Sequence, residues 1–369
     1  MKYIFLDTNI FFKNWYLDSK DFEILKHYIN TSDNELLVSR LVCEETNNKF
    51  NESFVELSHT IEKSITDINN LTKGEISISL ENIHDYNISS ILEKKFPLIY
   101  FDYTDVPHEK IISKIFKKEK PIKNSDIGYR DALIWLSFVN AIKHTKVGVD
   151  EYIFISKNHK DFFLKQGDTY SLHHDLQKDL DDENVSVYID LKSFFDSHHI
   201  SIPFKELKND EFHKFQDQYT YLIEEMIDYQ IEEYFSNIPY SEIRQAIKKK
   251  YSLDTYILSN MFNFRIEIID GTEDPEIDRV QYLDDNDNML VDYHLWIRNC
   301  MIYFEIPNFY CSFVEDTIYA LFQDDKTNET TTYFFSPPDI CLELEIFCDV
   351  NKEYVSSFEV IEMNLEKYC

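Results

Sequence analysis

Four carboxylates in the first half of the chain stand where a fold gathers side chains for chemistry. Asp7 follows directly on the apolar run Tyr3-Ile4-Phe5-Leu6, in Phe-Leu-Asp-Thr-Asn. A second such run, Tyr152-Ile153-Phe154-Ile155, leads into Ser156, Asn158 and Asp161. Short continuous apolar runs are the pattern of strands buried on both faces of a parallel sheet. Open α/β sheets hold their ligands beyond the carboxyl ends of their strands. If the two strands are neighbours, Asp7, Asn158 and Asp161 converge; the plainer alternative is that each Asp caps the helix after it. Asp131 heads Ala132-Leu133-Ile134-Trp135-Leu136, apolar on every side and so a buried helix. A carboxylate there must be capped, paired or bound to a cation, because an isolated buried charge is expensive. Arg130 and Ser125-Asp126 are ordinary partners, and an N-cap is the plain account. In Val38 to Glu45, Ser39 reads as an N-cap and Glu45 shares the helix face of Leu41 and Val42. Glu44, one turn after Arg40, suits a surface ion pair. An inward Glu beside other carboxylates is a hard-oxygen donor set, suited to Mg²⁺ or Mn²⁺.

The elements that must position these residues alternate. Strand patterns at Tyr3–Leu6, 36–38, Tyr152–Ile155 and 186–189 are separated by helical spacing at 22–29, 40–54, 59–71, 91–95, 109–117 and 132–142. That order predicts an α/β domain with a parallel sheet over residues 1–203. A second domain is expected over 204–369, with a helical region at 209–250 broken near Pro239 and a strand-rich region at 256–365. In it Phe262 to Ile268 and Ile340 to Cys348 alternate apolar with mostly polar residues, as half-buried antiparallel strands do, so this part reads as α+β. Met301 to Ile306 and Tyr333 to Phe335 are further strand candidates, set off by polar turn clusters at 284–288 and 324–330.

Composition bounds the function. The 369 residues carry 37 Lys+Arg against 68 Asp+Glu, with 5 Gly and 43% hydrophobic residues, which excludes collagen-like and disordered chains. No apolar run reaches membrane-span length, and Asp7 comes too soon for a signal peptide, so a cytoplasmic protein is expected. Six scattered cysteines with no Cys-x-x-Cys indicate neither a disulfide framework nor a zinc cage. The charge is uneven: residues 1–205 hold 25 Lys+Arg and 33 Asp+Glu, net −8, while 206–369 hold 12 and 35, net −23. The one dense basic stretch is Lys110, Lys114, Lys117, Lys118, Lys120 and Lys123, a strip that could bind phosphate or simply be a solvated helix face. With so few glycines a phosphate-binding loop is disfavoured, and no Gly-x-Ser-x-Gly elbow is present. The adjacent pairs His173-His174 and His198-His199 are not expected to bind metal, since neighbouring side chains point apart.

These blocks resemble the PIN domain, a metal-dependent nuclease family. The resemblance rests on the opening Leu-Asp-Thr-Asn, a Glu six residues after a helix-starting Ser, an Asp heading a buried helix, and a Ser-x-Asn strand exit. Lys-Pro-Ile-Lys (120–123), Gly128-Tyr-Arg-Asp-Ala-Leu-Ile-Trp and Ile-Ser-Lys-Asn-His-Lys-Asp-Phe (155–162) are similar to a bacterial branch with a basic insertion before the third acid. The resemblance covers about residues 3–190. It implies that Asp7, Glu45 and Asp131 are the first three metal-binding catalytic acids. Asn158 stands where the family usually has a fourth aspartate, so Asp161 takes that place as the candidate, with Asp126 a lesser alternative. Asn9, Ser156 and Asn158 would support them.

The activity implied is phosphodiester hydrolysis assisted by Mg²⁺ or Mn²⁺, most often of RNA, leaving a 5′-phosphate and a 3′-hydroxyl. Lys117, Lys118, Lys120, Lys123 and Arg130 would grip the nucleic-acid backbone, and some aromatic residues could stack on bases. The alternative is a degenerate PIN-like module that binds nucleic acid or protein without cutting. The acidic C-terminal part is too negative to embrace nucleic acid. It reads as a solubilising scaffold, as a surface for a regulatory protein, or as an autoinhibitory element contacting Lys110 to Lys123, an arrangement that would suit a restrained toxin or antiviral defence effector.

Overall fold

The computed structural model describes all residues except 75, 79–85, 123–127, 146–150, 168, 182, 202–203, 270, 283–287, 319–320, 328, 338 and 367–369. The chain divides into two compact units, Met1–Ile202 and Pro203–Cys369.

The first unit runs β1 (Lys2–Leu6), α1 (Thr8–Phe11), α2 (Lys20–Asn30), β2 (Glu35–Ser39), α3 (Arg40–Thr72), α4 (Ile88–Lys95), β3 (Leu98–Phe101), α5 (His108–Lys117), α6 (Tyr129–His144) and β4 (Glu151–Ile155). It continues through α7 (His159–Phe162), a hairpin of β5 (Phe163–Gln166) and β6 (Thr169–Leu172), α8 (His174–Gln177), β7 (Val185–Tyr188) and α9 (Leu191–His198). Five parallel strands form its sheet in the order β3-β2-β1-β4-β7. The apolar runs lie at its centre: Tyr3, Ile4 and Phe5 and Ile153, Phe154 and Ile155 are all fully buried. Phe5 and Phe154 stack at 4.9 Å between ring centroids, and Phe138 of α6 packs on each at 5.3 Å. Aromatic pairs at this spacing add to the area term in fixing a core.

Connectivity turns at one place. From β1 the chain moves outward to β2 and β3, then crosses to the other side of β1 to lay down β4. The carboxyl ends of β1 and β4 therefore flank a switch point, the usual ligand crevice of such sheets.

Two local features depart from the sequence reading. The segments 40–54 and 59–71 are one helix, α3. Nothing between them breaks a helix, and the Ser58 and Thr60 hydroxyls bond back to the carbonyls of Phe54 and Glu56. Glu44 is not paired with Arg40: Arg40 Nε lies 3.7 Å from Asp102, and Glu44 accepts from the Tyr103 hydroxyl at 3.0 Å. Both partners come from the segment after β3, which sequence spacing does not bring near.

The second unit comprises β8 (Lys205–Glu206), α10 (Asn209–Ser236), α11 (Tyr240–Tyr251), α12 (Thr255–Ser259), β9 (Phe262–Ile268), β10 (Thr272–Tyr282), β11 (Asn288–Ile297), β12 (Cys300–Pro307), α13 (Cys311–Glu315), β13 (Phe322–Lys326), β14 (Thr330–Phe335), β15 (Asp339–Asp349) and β16 (Tyr354–Glu366). It holds two antiparallel sheets, β16-β15-β11-β10-β8 and β13-β14-β12-β9. Its core unites Ile223, Ile227 and Ile231 of α10 with the inward residues of the strands, among them Leu342, Leu344 and Ile346. The polar cluster at 324–330 is not all turn: β13 extends through Lys326, exposed along its whole length and paired only to β14. An edge strand without a buried face carries no apolar alternation to mark it. The other cluster, 284–288, lies in residues 283–287 outside the described residues except for Asn288, which begins β11.

Cys43, Cys300, Cys341 and Cys348 are buried free thiols and Cys311 is a half-buried one. No helix among the described residues is long and apolar enough to cross a membrane.

Candidate active site

The rim at the switch point is built around Asp7. Its backbone N–H donates to the Ile155 carbonyl at 3.0 Å, which ties the end of β1 to the end of β4. The fully buried Ser156 donates from Oγ to Asp7 Oδ2 at 2.6 Å and accepts from the Asn158 N–H at 3.1 Å. Asn9 bridges the same two strand exits: Nδ2 donates to Asp7 Oδ2 at 2.7 Å, and Oδ1 accepts from the Lys157 N–H at 2.9 Å. Asp7 Oδ1 accepts from the Thr8 N–H at 2.8 Å, so Asp7 also caps α1. Capping and convergence are thus compatible.

Glu45 joins from the second turn of α3. Its Oε2 accepts from the Thr8 hydroxyl at 2.8 Å, and its Oε1 lies 2.7 Å from Arg130 Nη1. Thr8, the residue that sequence reasoning passed over, therefore links the first acid's helix to the second acid. Arg130 lies in the first turn of α6 beside Asp131, which brings that helix to the same rim. Asp131 is not the N-cap: Gly128 holds that place in a left-handed conformation, and Asp131 is partly exposed in the first turn. A Cβ on Gly128 would meet the Pro121 carbonyl oxygen at 2.5 Å, so only glycine fits.

Asp161 is 1% exposed within α7, and Lys120 Nζ reaches its Oδ1 at 3.3 Å and the Lys160 carbonyl at 2.8 Å. It does not cap a helix; Asn158 precedes α7 and makes no side-chain cap bond. Among the strip lysines, Lys110, Lys117 and Lys118 are exposed, but Lys114 is 4% exposed and lies 2.7 Å from Asp179, which also accepts from Trp135 Nε1. The strip is therefore not a single solvated face. Lys123 and Asp126 lie outside the described residues.

Burial pushes the Asp7 carboxyl up to about 6, the Glu45 charge adds to this, and the bonds from Ser156, Thr8 and Asn9 oppose it. The donors to Asp7 are a hydroxyl, a carboxamide and a backbone N–H, all neutral, while Glu45 has Arg130 and Asp161 has Lys120. A buried carboxylate beside a second one, without a cationic donor of its own, fits a divalent cation. Asp7, Glu45 and Asp131 are all-oxygen ligands of the kind Mg²⁺ or Mn²⁺ takes. Among the described residues, the trio whose ligand atoms come within 4.8 Å of one another lies elsewhere, at His173, His174 and Asp175. Those two imidazoles do not point apart: their rings stack at 4.1 Å.

No curated protein and no solved structure matches the chain. The second unit has no family match. Residues 4–162, which carry Asp7, Glu45, Asp131 and Asp161, match the family model of the PIN domain, a family generally composed of metal-dependent nucleases, and the first unit has a PIN-like α/β fold.

Proposed function

We propose that the PIN domain is a metal-dependent endonuclease acting on RNA. The observation that carries this reading is Asp7: a carboxylate 3% exposed, fixed by three neutral donors, beside Glu45. Asp7, Glu45 and Asp131 would hold Mg²⁺ or Mn²⁺, with Asp161 as a fourth acid. When bound, the cation supplies Lewis acidity at a phosphodiester and lowers the pKa of a water.

The chain's own residues do the rest. Ser156, Asn9 and the Thr8 N–H hold the Asp7 carboxylate in one orientation, so its lone pairs need no reorganisation on binding. Arg130 is 68% exposed and spends one N–H on Glu45, which leaves donors of its guanidinium for a phosphate oxygen. Lys117 and Lys118 add affinity that does not depend on sequence. Phe12 and Tyr16, 46% and 50% exposed a few residues beyond α1, offer rings to unpaired bases. The acidic second unit would regulate or solubilise the nuclease rather than bind its substrate, in keeping with a restrained toxin or defence effector.

The test is cleavage of labelled single-stranded and folded RNA and DNA with Mn²⁺. The expected result is RNA cleavage abolished by chelator and reduced at least about a hundredfold in Asp7→Asn, the scale of losing a transition-state electrostatic group. Equal cleavage by Asp7→Asn would reject the assignment. A second reading, binding without cleavage, is favoured by the amide at Asn158 and by the Lys120 partner of Asp161. It predicts salt-sensitive RNA retention, no cut product and no Asp7-dependent Mn²⁺ binding.

A further inference from the structure

His173, His174 and Asp175 lie outside the acid rim and have no part in the proposed hydrolysis. His173 precedes α8 in extended backbone, φ −61 and ψ 138, while His174 is the first helical residue. That change of backbone brings the two rings onto one side. His173 Nδ1 is 3.6 Å from Asp175 Oδ2, and His174 Nε2 is 3.6 Å from Asp175 Oδ1. Two imidazoles and a carboxylate at this spacing are a donor set for a borderline cation rather than for Mg²⁺. Donors held at zinc's usual 2.0–2.2 Å in a tetrahedron stand roughly 3.4 Å apart. Here each imidazole is 3.6 Å from one carboxylate oxygen, and one donor atom from each residue lies within 4.8 Å of the others, so a small closing movement would complete the set.

The surroundings decide whether the trio is more than a chance contact. His173 and Asp175 are 14% and 16% exposed, so two of the three ligands are held by the fold, while His174 at 65% leaves the site open to solvent. Burial and the adjacent cationic side chains hold His173 toward its neutral, metal-binding form. Asp175 already attracts a cation: Lys178 Nζ sits 2.9 Å from its Oδ1 and 3.7 Å from Glu119. Lys178 is 58% exposed and can swing into water. Asp175 Oδ2 also accepts the Lys120 N–H at 3.3 Å, and the Asp175 N–H donates to His173 Nδ1 at 3.1 Å. A metal on that nitrogen would replace this last bond.

We propose that His173, His174 and Asp175 form a second cation site, selective for Zn²⁺-class ions, which fills independently of the acid rim and in competition with the Lys178 ammonium. The experiment is calorimetric titration of the full chain with Zn²⁺ at neutral pH under excess Mg²⁺, repeated with Co²⁺ to read the visible bands of a four-coordinate ion. One equivalent should bind to the wild type and equally to Asp7→Asn. Affinity should fall roughly tenfold or more in His174→Ala and in Asp175→Asn, the scale at which disturbed metal shells lose metal. Lys178→Ala should tighten binding several-fold, an effect that a lone surface imidazole would not feel. His174→Ala alters an exposed side chain, which keeps the test valid if a change at His173 disturbs folding. Absence of binding, binding indifferent to His174 and Asp175, or zinc lost with Asp7→Asn would each overturn the proposal. The last result would place zinc on the acid rim and leave the nuclease reading standing.

Discussion

The two units hold their acids in opposite ways. In the first unit the informative carboxylates are buried or half-buried singly, each with its own partner: Glu45 with Arg130, Asp161 with Lys120, Asp179 with Lys114. In the second unit acids lie on exposed or half-exposed sheet faces and stand opposite one another across strands, Glu343 opposite Glu362 and Asp292 opposite Glu345 in register, with the surface cations Lys249 and Arg279 beside Glu362 and Asp292. The more acidic unit spreads these carboxylates along its strands, and the less acidic one gathers its own at a rim. Count and net charge thus measure solvation, whereas burial and convergence mark where a charge is held for a purpose.

Four comparisons test that contrast. The largest effect is expected at Lys114→Ala, which takes from Asp179 its cation, leaving it only the neutral Trp135 N–H, and should destabilise the first unit by roughly 3–5 kcal/mol. Denaturant unfolding followed through Trp135 of that unit measures it, and a loss under about 1 kcal/mol, the range of a surface pair, would show that burial does not set the scale. Gly128→Ala should cost about 3 kcal/mol, since it combines φ +98 with a clash on backbone. The matching Gly271→Ala in the second unit has φ +83 but nothing within 4 Å, and should cost only about 1–2 kcal/mol. Equal losses at the two glycines would remove the steric argument.

Asp7→Asn gives the third effect, and its sign follows from the raised carboxyl. The folded pKa of about 6 exceeds the ordinary 3.8, so the folded state binds more protons between these values and ionisation opposes folding. Without metal, Asp7→Asn should therefore gain roughly 2–3 kcal/mol over wild type above about pH 6, with the gain fading between about pH 6 and pH 4 and gone below that. Thermal melts across this range in chelator measure it; a pH-independent difference would contradict the burial account. The smallest effect is in the second unit, where Glu343→Lys, placed opposite a Glu362 that Lys249 already neutralises in part, should stabilise by at most about 0.5 kcal/mol. Unfolding followed through Trp296 of β11 would read it, and a destabilisation would mean that the facing acids are not in conflict.

Legibility in the sequence follows burial. The central strands β1 and β4 could be read because sheet residues covered on both faces leave uninterrupted apolar runs, and Asp7 and Ser156 could be placed on the rim because they follow those runs. The edge strand β3 is only half-buried and β13 is fully exposed, so neither carries a periodic signal. The partners of the acids were out of reach for another reason. Arg130 and Glu45 are 85 residues apart and Lys120 and Asp161 are 41 apart, distances over which local spacing says nothing. The stacking of His173 on His174 depends on a change of backbone conformation between them, which neither a uniform helix nor a uniform strand would give.

The length of α3 separates two kinds of stability within one helix. Of its 33 residues only Val42, Cys43 and Thr46 are buried, all near its start, whereas Leu57, Ile61, Ile68 and Leu71 project into water. At 1.5 Å per residue the helix is about 50 Å long, and most of it leans on nothing in the core. Its distal amides should exchange hydrogen with solvent by local fraying, while those around Glu45 exchange only when the sheet itself opens. A protease would find its first cut in the distal turns, and the nicked domain would keep Glu45 at the rim.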